Sequence, residues 1–180
     1  MSFAVEPYRA AYVPLAHSYM GVPQQLDRDQ VLAQLKPLLE DPARPKLAQN
    51  AKYDINVLAH YGVEVRGVAF DSMLESYVLD STATRHDMDS LALKYLGTGT
   101  TRFEDIAGKG AKQLTFDQIA LEQAAPYAAE DADITLRLHR TLWPRLEETG
   151  ALASVFRDIE MPLMPVLARI ERTRSSSSRK

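Results

Sequence analysis

Hydrophobic positions along the chain repeat every second residue in some segments and every third or fourth residue in others. Two short apolar runs on either side of residues 6–9 predict a β-hairpin at the start of the sequence. Strand patterns at residues 46–49 and 63–70 are each followed by a helical pattern. This alternation predicts an α/β domain whose parallel strands are joined by right-handed crossovers.

Side chains that can accept a hydrogen bond from a backbone N–H group stand where the helical patterns begin. In chain order these candidate caps are Asp27 with Gln30, Asn50, Asp71, Asp89, and Thr115 with Gln118. Pro126 fits the first turn of a long helix that should end near Glu148. The sequence therefore predicts helices that start at these positions.

The composition indicates a single globular domain without pointing to one function. A chain of 180 residues, of which 46% are hydrophobic, can bury a substantial core. Because the net charge is −3, any contact with nucleic acid has to use local Lys and Arg side chains. The absence of cysteine excludes disulfides, thiolate zinc sites and a cysteine nucleophile. With no signal-peptide pattern and no membrane-spanning run, we expect a cytoplasmic protein without a membrane partner.

The helix predicted after Pro126 carries an acidic side chain on an otherwise apolar face. The side chains that share this face by their helical spacing are Tyr127, Asp131, Ile134, Leu138 and Leu142. A buried, ionised carboxylate is unfavourable unless a partner or a metal ion offsets its charge. Either Asp131 has such a partner, or the face is slightly misphased and Asp131 lies at the solvent edge. Glu130 and Asp133 lie off this face and predict a solvated acidic surface.

A second carboxylate, Asp54, follows Asn50 and Tyr53 in the first turns of another predicted helix. A negative charge there is favourable beside the helix N-terminus, whatever its function. Together with Asp131 it offers hard oxygen ligands for divalent cations. Two such ions about 3.5 to 4 Å apart can promote phosphodiester cleavage. The two carboxylates therefore suggest a metal-dependent nuclease site.

Five segments in order carry a resemblance to a known family: residues 49–54, 70–77, 85–91, 103–110 and 127–133. From Phe3 to Arg172 the chain resembles the 3′-to-5′ proofreading exonuclease domain of bacterial DNA polymerase I, a family A enzyme of DNA replication and repair. The resemblance implies a ribonuclease-H-like mixed sheet flanked by helices and the tyrosine version of the DEDD nuclease class. It also implies metal-dependent hydrolysis of DNA from a single-stranded 3′ end, with release of nucleoside monophosphates.

The same resemblance implies roles for individual side chains. Asp131 and Asp54 match the carboxylates that bind two divalent cations, with Mg²⁺ expected first and Mn²⁺ or Zn²⁺ as alternatives. Tyr127 matches the catalytic tyrosine that orients the attacking water. The positions that match the binding site for the DNA 3′ end are Gln49, Asn50, Tyr53, Met73, Arg85 and Phe103. For the aromatic members of this set, packing in the core is the alternative role.

The sequence departs from the family at both ends. In the family, an Asp-x-Glu on the first, central strand supplies two further metal-binding carboxylates, and no such tripeptide precedes Asn50. We therefore expect the sheet to lack that strand, which would lie between the hairpin and the strand at residues 46–49. Half of the metal ligands would then be missing, and the exposed strand edges would allow self-association.

The expected organisation has three parts. Residues 1–158 form an exonuclease-like domain that is truncated at its N-terminus, residues 159–172 begin a helix that leads to an absent polymerase domain, and residues 173–180 form a disordered tail. We expect such a fragment to have little or no activity of its own, because a metal ion with few hard ligands is weakly held. The alternatives are an exoribonuclease similar to RNase D, a noncatalytic module that binds single-stranded DNA or a protein, and a gene fragment without an independent role.

Overall fold

The structure, a computed structural model, describes residues 1–82 and 85–177, the last four by their backbone alone. The strands of this part of the chain are β1 (Ser2–Glu6), β2 (Arg9–Tyr12), β3 (Lys46–Ala48) and β4 (Val68–Asp71). The helices are α1 (Arg28–Leu39), α2 (Ala51–Ala59), α3 (Ser72–Leu79), α4 (Met88–Leu91), α5 (Phe103–Ala107), α6 (Leu121–Glu148), α7 (Ala151–Val155) and α8 (Met161–Ser177). The predicted α/β class is confirmed.

The chain opens with the predicted hairpin, in which β1 and β2 pair antiparallel and Phe3 lies opposite Ala11. β3 and β4 pair in parallel, with Ala48 opposite Asp71. β4 begins later than the strand pattern from residue 63 predicts. The reason is that residues 64 and 66 donate their backbone N–H groups to the end of α1 instead of to a strand.

The two strand pairs form separate sheets. Across residues 1–82 and 85–177, β1 is hydrogen-bonded to β2 and β3 to β4, and no further strand joins the two pairs. Both sheets lie against the same long helix, since α6 contacts β1, β2 and β3. β1 and β3 each keep an edge with unpaired backbone groups, as expected if a central strand is absent between them.

The helix α6 provides the main core. Its side chains Ile134, Leu138 and Leu142 are buried and pack with Leu91 and Ala92. These three side chains belong to the apolar face that the sequence predicts, so the predicted phase of the helix is confirmed.

Two of the predicted caps act as expected. The carboxylate of Asp27 accepts a hydrogen bond of 2.8 Å from the backbone N–H of Gln30 at the start of α1. The carboxylate of Asp71 accepts from the N–H groups of Met73 and Leu74 at the start of α3. Both satisfy backbone donors that have no partner within the helix.

Two other predicted caps differ from the structure. Asp87, rather than Asp89, caps α4, because it is the Asp87 carboxylate that accepts from the backbone N–H of Ser90 at 2.8 Å. Asn50 does precede α2, but its backbone is left-handed, with φ 58°, and its side chain makes no capping hydrogen bond. The start of α2 must therefore be stabilised in another way.

The long helix α6 begins at Leu121, before the position that Pro126 predicts. Thr115 and Gln118 do form the predicted capping box, but around a single 3₁₀ turn at Phe116–Gln118. Pro126 thus lies inside the helix, where its missing N–H removes one intrahelical hydrogen bond. Burial of the apolar face offsets this loss, and the helix continues to its predicted end at Glu148.

The C-terminal part of the chain is helical. α7, a π-helical turn at Phe156–Glu160 and α8 follow one another directly, so no break in the helical backbone marks residue 158. α8 packs against α2. It extends through Ser177, so residues 173–177 are helical rather than part of the predicted disordered tail, and residues 178–180 lie outside the described residues. None of the described helices is both long enough and apolar enough to cross a membrane.

Candidate functional site

Tyr127 and Asp131 lie one turn apart on α6, and both are half-buried. The ring of Tyr127 packs edge-on against Phe103 of α5, with ring centroids 6.2 Å apart, and lies 6.0 Å from the ring of Phe116. Burial, followed by the charges of Asp131 and Asp89, raises the pKa of Tyr127 to about 12. Tyr127 is therefore a neutral phenol at neutral pH and can donate a hydrogen bond.

Asp131 lies in an acidic neighbourhood. Burial, followed by the charges of Glu130 and Asp89, raises its pKa to about 7, against the opposing effect of the hydrogen bond from Tyr127. The sequence leaves open whether this carboxylate has a partner or lies at the solvent edge. In the structure the side chain of Asp131 is half-buried. A carboxylate in this state changes protonation near neutral pH and would be stabilised in its ionised form by a nearby cation.

The acidic side chains around Asp131 bind other parts of the fold. Glu130 accepts a hydrogen bond of 2.9 Å from the backbone N–H of Thr101, and Asp89 accepts one of 2.5 Å from the hydroxyl of Thr100. The side chain of Asp133 is only 13% exposed and forms an ion pair within α6. The prediction of a solvated acidic surface is therefore wrong for Asp133, whose side chain is mostly buried. Glu130 remains partly exposed, as the prediction requires.

Asp54 lies in the first turn of α2, as predicted. Burial, followed by the charge of Asp71, raises the pKa of Asp54 to about 6. Asp71 is almost fully buried, and its carboxylate accepts hydrogen bonds from the backbone N–H groups of Asn50 at 3.1 Å and Ala51 at 2.8 Å. The carboxylate whose charge raises the pKa of Asp54 is thus already engaged by the start of the same helix.

Gln49 is bound inside the protein at both ends of its amide. Its Oε1 accepts a hydrogen bond from the hydroxyl of Ser72, and its Nε2 donates one of 3.1 Å to the carbonyl oxygen of His86. The hydroxyl of Ser76 lies 2.9 Å from Nδ1 of His86. The polar side of α3 therefore connects the segment before α2 with the segment before α4.

Asn50 and Tyr53 border an open cavity of about 230 Å³ between α2 and α8. Across it, Lys52 and Glu171 form an ion pair of 2.6 Å. Tyr53 is 66% exposed, which excludes the alternative that it packs in the core. Met73 and Asn50 also border a second, smaller cavity of about 70 Å³.

Phe103 and Arg85 have different surroundings. Phe103 is half-buried against Tyr127 and the small apolar cluster around Ile119, so part of its surface does pack in the core. The side chain of Arg85 is 90% exposed and lies 3.9 Å from the carboxylate of Asp87. Arg85 is therefore accessible to a ligand, whereas Phe103 is accessible only in part.

The predicted site residues form two groups. One consists of Tyr127, Asp131 and Phe103 on α6 and α5, and the other surrounds the starts of α2 and α3. Within the part of the chain that the structure describes, no three His, Asp or Glu side chains are arranged to hold a metal ion. These donors do not complete a metal centre by themselves.

Sequence reasoning missed the role of Asp71 in this site. The pattern before α3 predicts its local capping, but its contact with Asn50 joins positions 21 residues apart and depends on the pairing of β3 with β4. Sequence reasoning also missed a buried pair behind α3, in which Glu75 and Nδ1 of His139 lie 2.7 Å apart. An acidic residue between a strand and a helix was the one local signal for Asp71.

Comparison with known proteins identifies relatives. The 3′-5′ exonuclease family matches residues 1–147 of this chain. The chain is 75% identical over 174 residues to DNA polymerase I of Pseudomonas aeruginosa, which covers 96% of this chain and 19% of that protein. It thus spans about a fifth of the length of this curated relative. The resemblance that the five sequence segments indicate is confirmed.

Two solved structures are similar in fold. One is described as the POL domain of Pol1 from M. smegmatis in complex with DNA primer-template and dNTP, with a TM-score of 0.63 and 26% identity over 82% of this chain and 22% of that one. The other is the apo form of a nuclease, with a TM-score of 0.61 and 22% identity over 86% of this chain and 68% of that one. These likenesses confirm the ribonuclease-H-like architecture. Because the family match extends over residues 1–147, the chain belongs to the 3′-5′ exonuclease family, whose members are metal-dependent enzymes that act on nucleic acid.

Proposed function

We propose that this chain acts in the hydrolysis of DNA from a single-stranded 3′ end, as the proofreading exonuclease part of a bacterial DNA polymerase I. The observation that carries the proposal is the pair of Tyr127 and Asp131 on one face of α6, half-buried beside Phe103. A neutral phenol can orient a water molecule, and a carboxylate with a pKa of about 7 can change protonation near neutral pH.

The proposal includes two divalent cations, Mg²⁺ first and Mn²⁺ or Zn²⁺ as alternatives, with Asp131 and Asp54 as oxygen ligands. The raised pKa of Asp131 supports this role, because a cation would offset the burial of its negative charge. Asp54 is exposed, so its carboxylate is open to a cation. The remaining metal ligands have to come from groups other than these two carboxylates. We therefore expect the 180 residues alone to hydrolyse DNA slowly or not at all.

The DNA end would lie along the exposed side chains near the starts of α2 and α4. The ring of Tyr53, 66% exposed, can stack on a base, and the guanidinium of Arg85 can pair with a phosphate. Asn50 and Met73 line the smaller of the two cavities, which side chains of α8 also border. Gln49 belongs to the same site, but its amide acts by holding this segment in place, since Ser72 and His86 bind it.

The proposal also covers the organisation, location and self-association of the chain. Residues 1–158 form the exonuclease unit, and residues 159–172 begin a helix toward a polymerase domain. The protein acts in the cytoplasm. Its unpaired strand edges on β1 and β3 allow self-association.

The test uses the purified chain with a 5′-labelled single-stranded DNA and Mg²⁺, and it measures DNA binding and shortening from the 3′ end. We expect binding, slow shortening at most, and loss of any shortening in Asp131→Asn. The matched control is Asp29→Asn, which removes a carboxylate that is 81% exposed on α1 and should change neither quantity.

The possible results separate the proposal from its rivals. Shortening that persists in Asp131→Asn contradicts the site, and a failure to bind single-stranded DNA contradicts the function. Fast shortening that depends on Asp131 supports the site but contradicts the expected low activity. Shortening of RNA in preference to DNA supports the RNase D-like alternative, and binding that no cation converts to cleavage supports a noncatalytic module.

A further inference from the structure

The carboxylate of Asp71 connects the starts of two helices. Its Oδ1 accepts hydrogen bonds from the backbone N–H groups of Met73 at 3.0 Å and Leu74 at 3.3 Å, which begin α3. The same oxygen accepts from the N–H of Asn50 at 3.1 Å, and Oδ2 accepts from the N–H of Ala51 at 2.8 Å. One buried carboxylate thus satisfies donors at the start of α2 as well as of α3.

This arrangement replaces the missing cap of α2. Asn50 occupies the cap position but adopts a left-handed backbone and makes no side-chain capping bond. Without Asp71, the N–H of Ala51 would be buried without an acceptor, because Ala51 is only 1% exposed. The parallel register that sets Ala48 opposite Asp71 brings the two helix starts side by side and makes the shared carboxylate possible.

The segment fixed by Asp71 is the one that carries the proposed DNA contacts of α2. Asn50 is bound directly, and Tyr53 and Asp54 follow within the first turn of the same helix. A shift of the helix start would move both side chains relative to the site. Asp71 itself is 1% exposed, so it is shielded from solvent and acts through the backbone that it binds.

We propose that Asp71 is a positioning residue that fixes the start of α2 and thereby holds Asn50, Tyr53 and Asp54 in place for the DNA 3′ end. This inference rests on the proposed function, since it assigns Asp71 to the same site. Asp71 does not touch the substrate. It sets where the substrate-binding side chains stand.

The substitution Asp71→Asn tests this role selectively. Asparagine keeps the shape of the side chain and one oxygen, which can still accept from the three N–H groups that Oδ1 binds. Its NH₂ group replaces Oδ2 and faces the N–H of Ala51, so donor meets donor. The cap of α3 is retained, while the bond to α2 is lost.

The matched control is Asp27→Asn. It alters another aspartate cap, at the start of α1, which accepts from the N–H of Gln30. Both variants are compared with the unaltered chain by thermal unfolding, amide hydrogen exchange and fluorescence anisotropy with a single-stranded oligonucleotide labelled at its 5′ end, which leaves the 3′ end free. The thermal data show whether a difference in binding exceeds the general loss of stability.

For Asp71→Asn we expect the amide of Ala51, which loses its acceptor, to exchange at least about tenfold faster and the oligonucleotide to bind about tenfold more weakly. Asp27→Asn should change neither quantity, even at a similar loss of thermal stability. Unchanged exchange at Ala51 in Asp71→Asn would show that Asp71 does not fix the start of α2 and would overturn the proposal. Faster exchange with unchanged DNA binding would overturn the positioning role.

Failure of the proposed function gives a different result, because the unaltered chain would then not bind the oligonucleotide at all. In that case the positioning role is overturned with it. If Asp71→Asn does not fold, Asp71→Ser serves as the second variant. Serine is a good cap for α3 but is too short to reach Ala51, so the same two measurements apply.

Discussion

At the scale of single residues, Asp131 shows how burial and charge act together. Its pKa of about 7 lies well above the 3.8 of an ordinary aspartate, because the carboxylate is partly buried near Glu130 and Asp89. The folded chain therefore binds this proton more tightly than the unfolded chain does. As the pH rises from 3.8 to about 7, the ionisation of Asp131 therefore lowers the free energy of unfolding.

We predict that the chain is less stable at pH 8 than at pH 5 when EDTA removes divalent cations, and that Asp131→Asn reduces this difference. Asparagine has nearly the same shape but cannot ionise. At pH 8 the variant should be more stable by about 1 kcal/mol, after discounting for the exposed part of the side chain. This corresponds to a rise of roughly 2–4 °C in Tm, measured by thermal unfolding.

At pH 5 the two proteins should differ less than at pH 8, because the loss of stability from ionising Asp131 runs from pH 3.8 to about 7 and most of it occurs above pH 5. The exposed control Asp29→Asn should show no comparable dependence on pH. An Asp131→Asn variant that is equally destabilised at both pH values would contradict the raised pKa.

The contrast between Asp131 and Asp71 shows what the sequence can predict at this scale. The face shared by Asp131 and Leu138 follows from helical periodicity alone, and the structure places Leu138 in the core as expected. The bond from Asp71 to Ala51 depends on two parallel strands ending side by side. The spacing of residues within one helix or strand does not show that β3 and β4 end side by side.

At the scale of elements, the turn before β4 depends on Gly67. Its backbone has φ +70°, and a Cβ atom there would lie 2.9 Å from the carbonyl oxygens of Arg44 and Pro42. Its own carbonyl oxygen accepts the N–H of Lys46 at 2.9 Å, which begins the pairing of β3 with β4. Both a left-handed backbone and a close approach of two chain segments require glycine at this position.

We predict that Gly67→Ala destabilises the chain more than Gly62→Ala does. Both glycines have a positive φ, so alanine should cost about 1–2 kcal/mol at either position. A Cβ atom at Gly62 meets nothing within 4 Å, whereas at Gly67 it meets backbone oxygens and should add about 1–3 kcal/mol. Urea unfolding measures the difference, and equal losses in the two variants would contradict the close approach.

Helix boundaries were predictable where a cap acts on its own helix and not where a neighbouring segment competes. Asp27 and Asp71 cap as their sequence patterns predict. Asp89 fails as a cap because its carboxylate binds Thr100 instead, a contact across a loop. Likewise, α6 begins before Pro126, because tertiary packing outweighs the preference of proline for the first turn of a helix.

At the scale of the whole molecule, the separation of the two sheets exposes backbone edges. Across the described ranges, β1 and β3 each pair on one side only. Val5, at the irregular position of β1 between Ala4 and Glu6, is 82% exposed, so this strand also presents an apolar side chain to solvent. An edge with these properties can pair with a second copy of the chain.

We predict that the chain self-associates as its concentration rises and that Val5→Lys weakens this association by at least about tenfold, because a charge on an edge strand opposes pairing. Sedimentation equilibrium measures the association constant. The control is Met20→Lys, which places the same charge at a position that is 99% exposed and outside the strands. Equal weakening by both substitutions, or a chain that stays monomeric throughout, would contradict association through β1.

The fold class and the order of elements were predictable because periodicity reports which elements form. Whether β1 and β3 belong to one sheet could be inferred only from the family resemblance, since strand pairing is a long-range property. The sequence likewise selects Asp54 and Asp131 as candidate ligands but does not predict the acidic side chains that act on them, which are Asp71 for Asp54 and Glu130 with Asp89 for Asp131.

The placement of α6 has a consequence for how the molecule unfolds. This helix contacts strands of both sheets as well as α3 and α4. In the described part of the chain the two sheets share no strand hydrogen bonds, so each can stabilise the other only through α6. Loss of α6 would deprive each two-stranded sheet of its apolar support, and an isolated pair of strands is barely stable in water. The two halves of the molecule are therefore expected to melt as one cooperative unit, although no strand joins them in the described part of the chain.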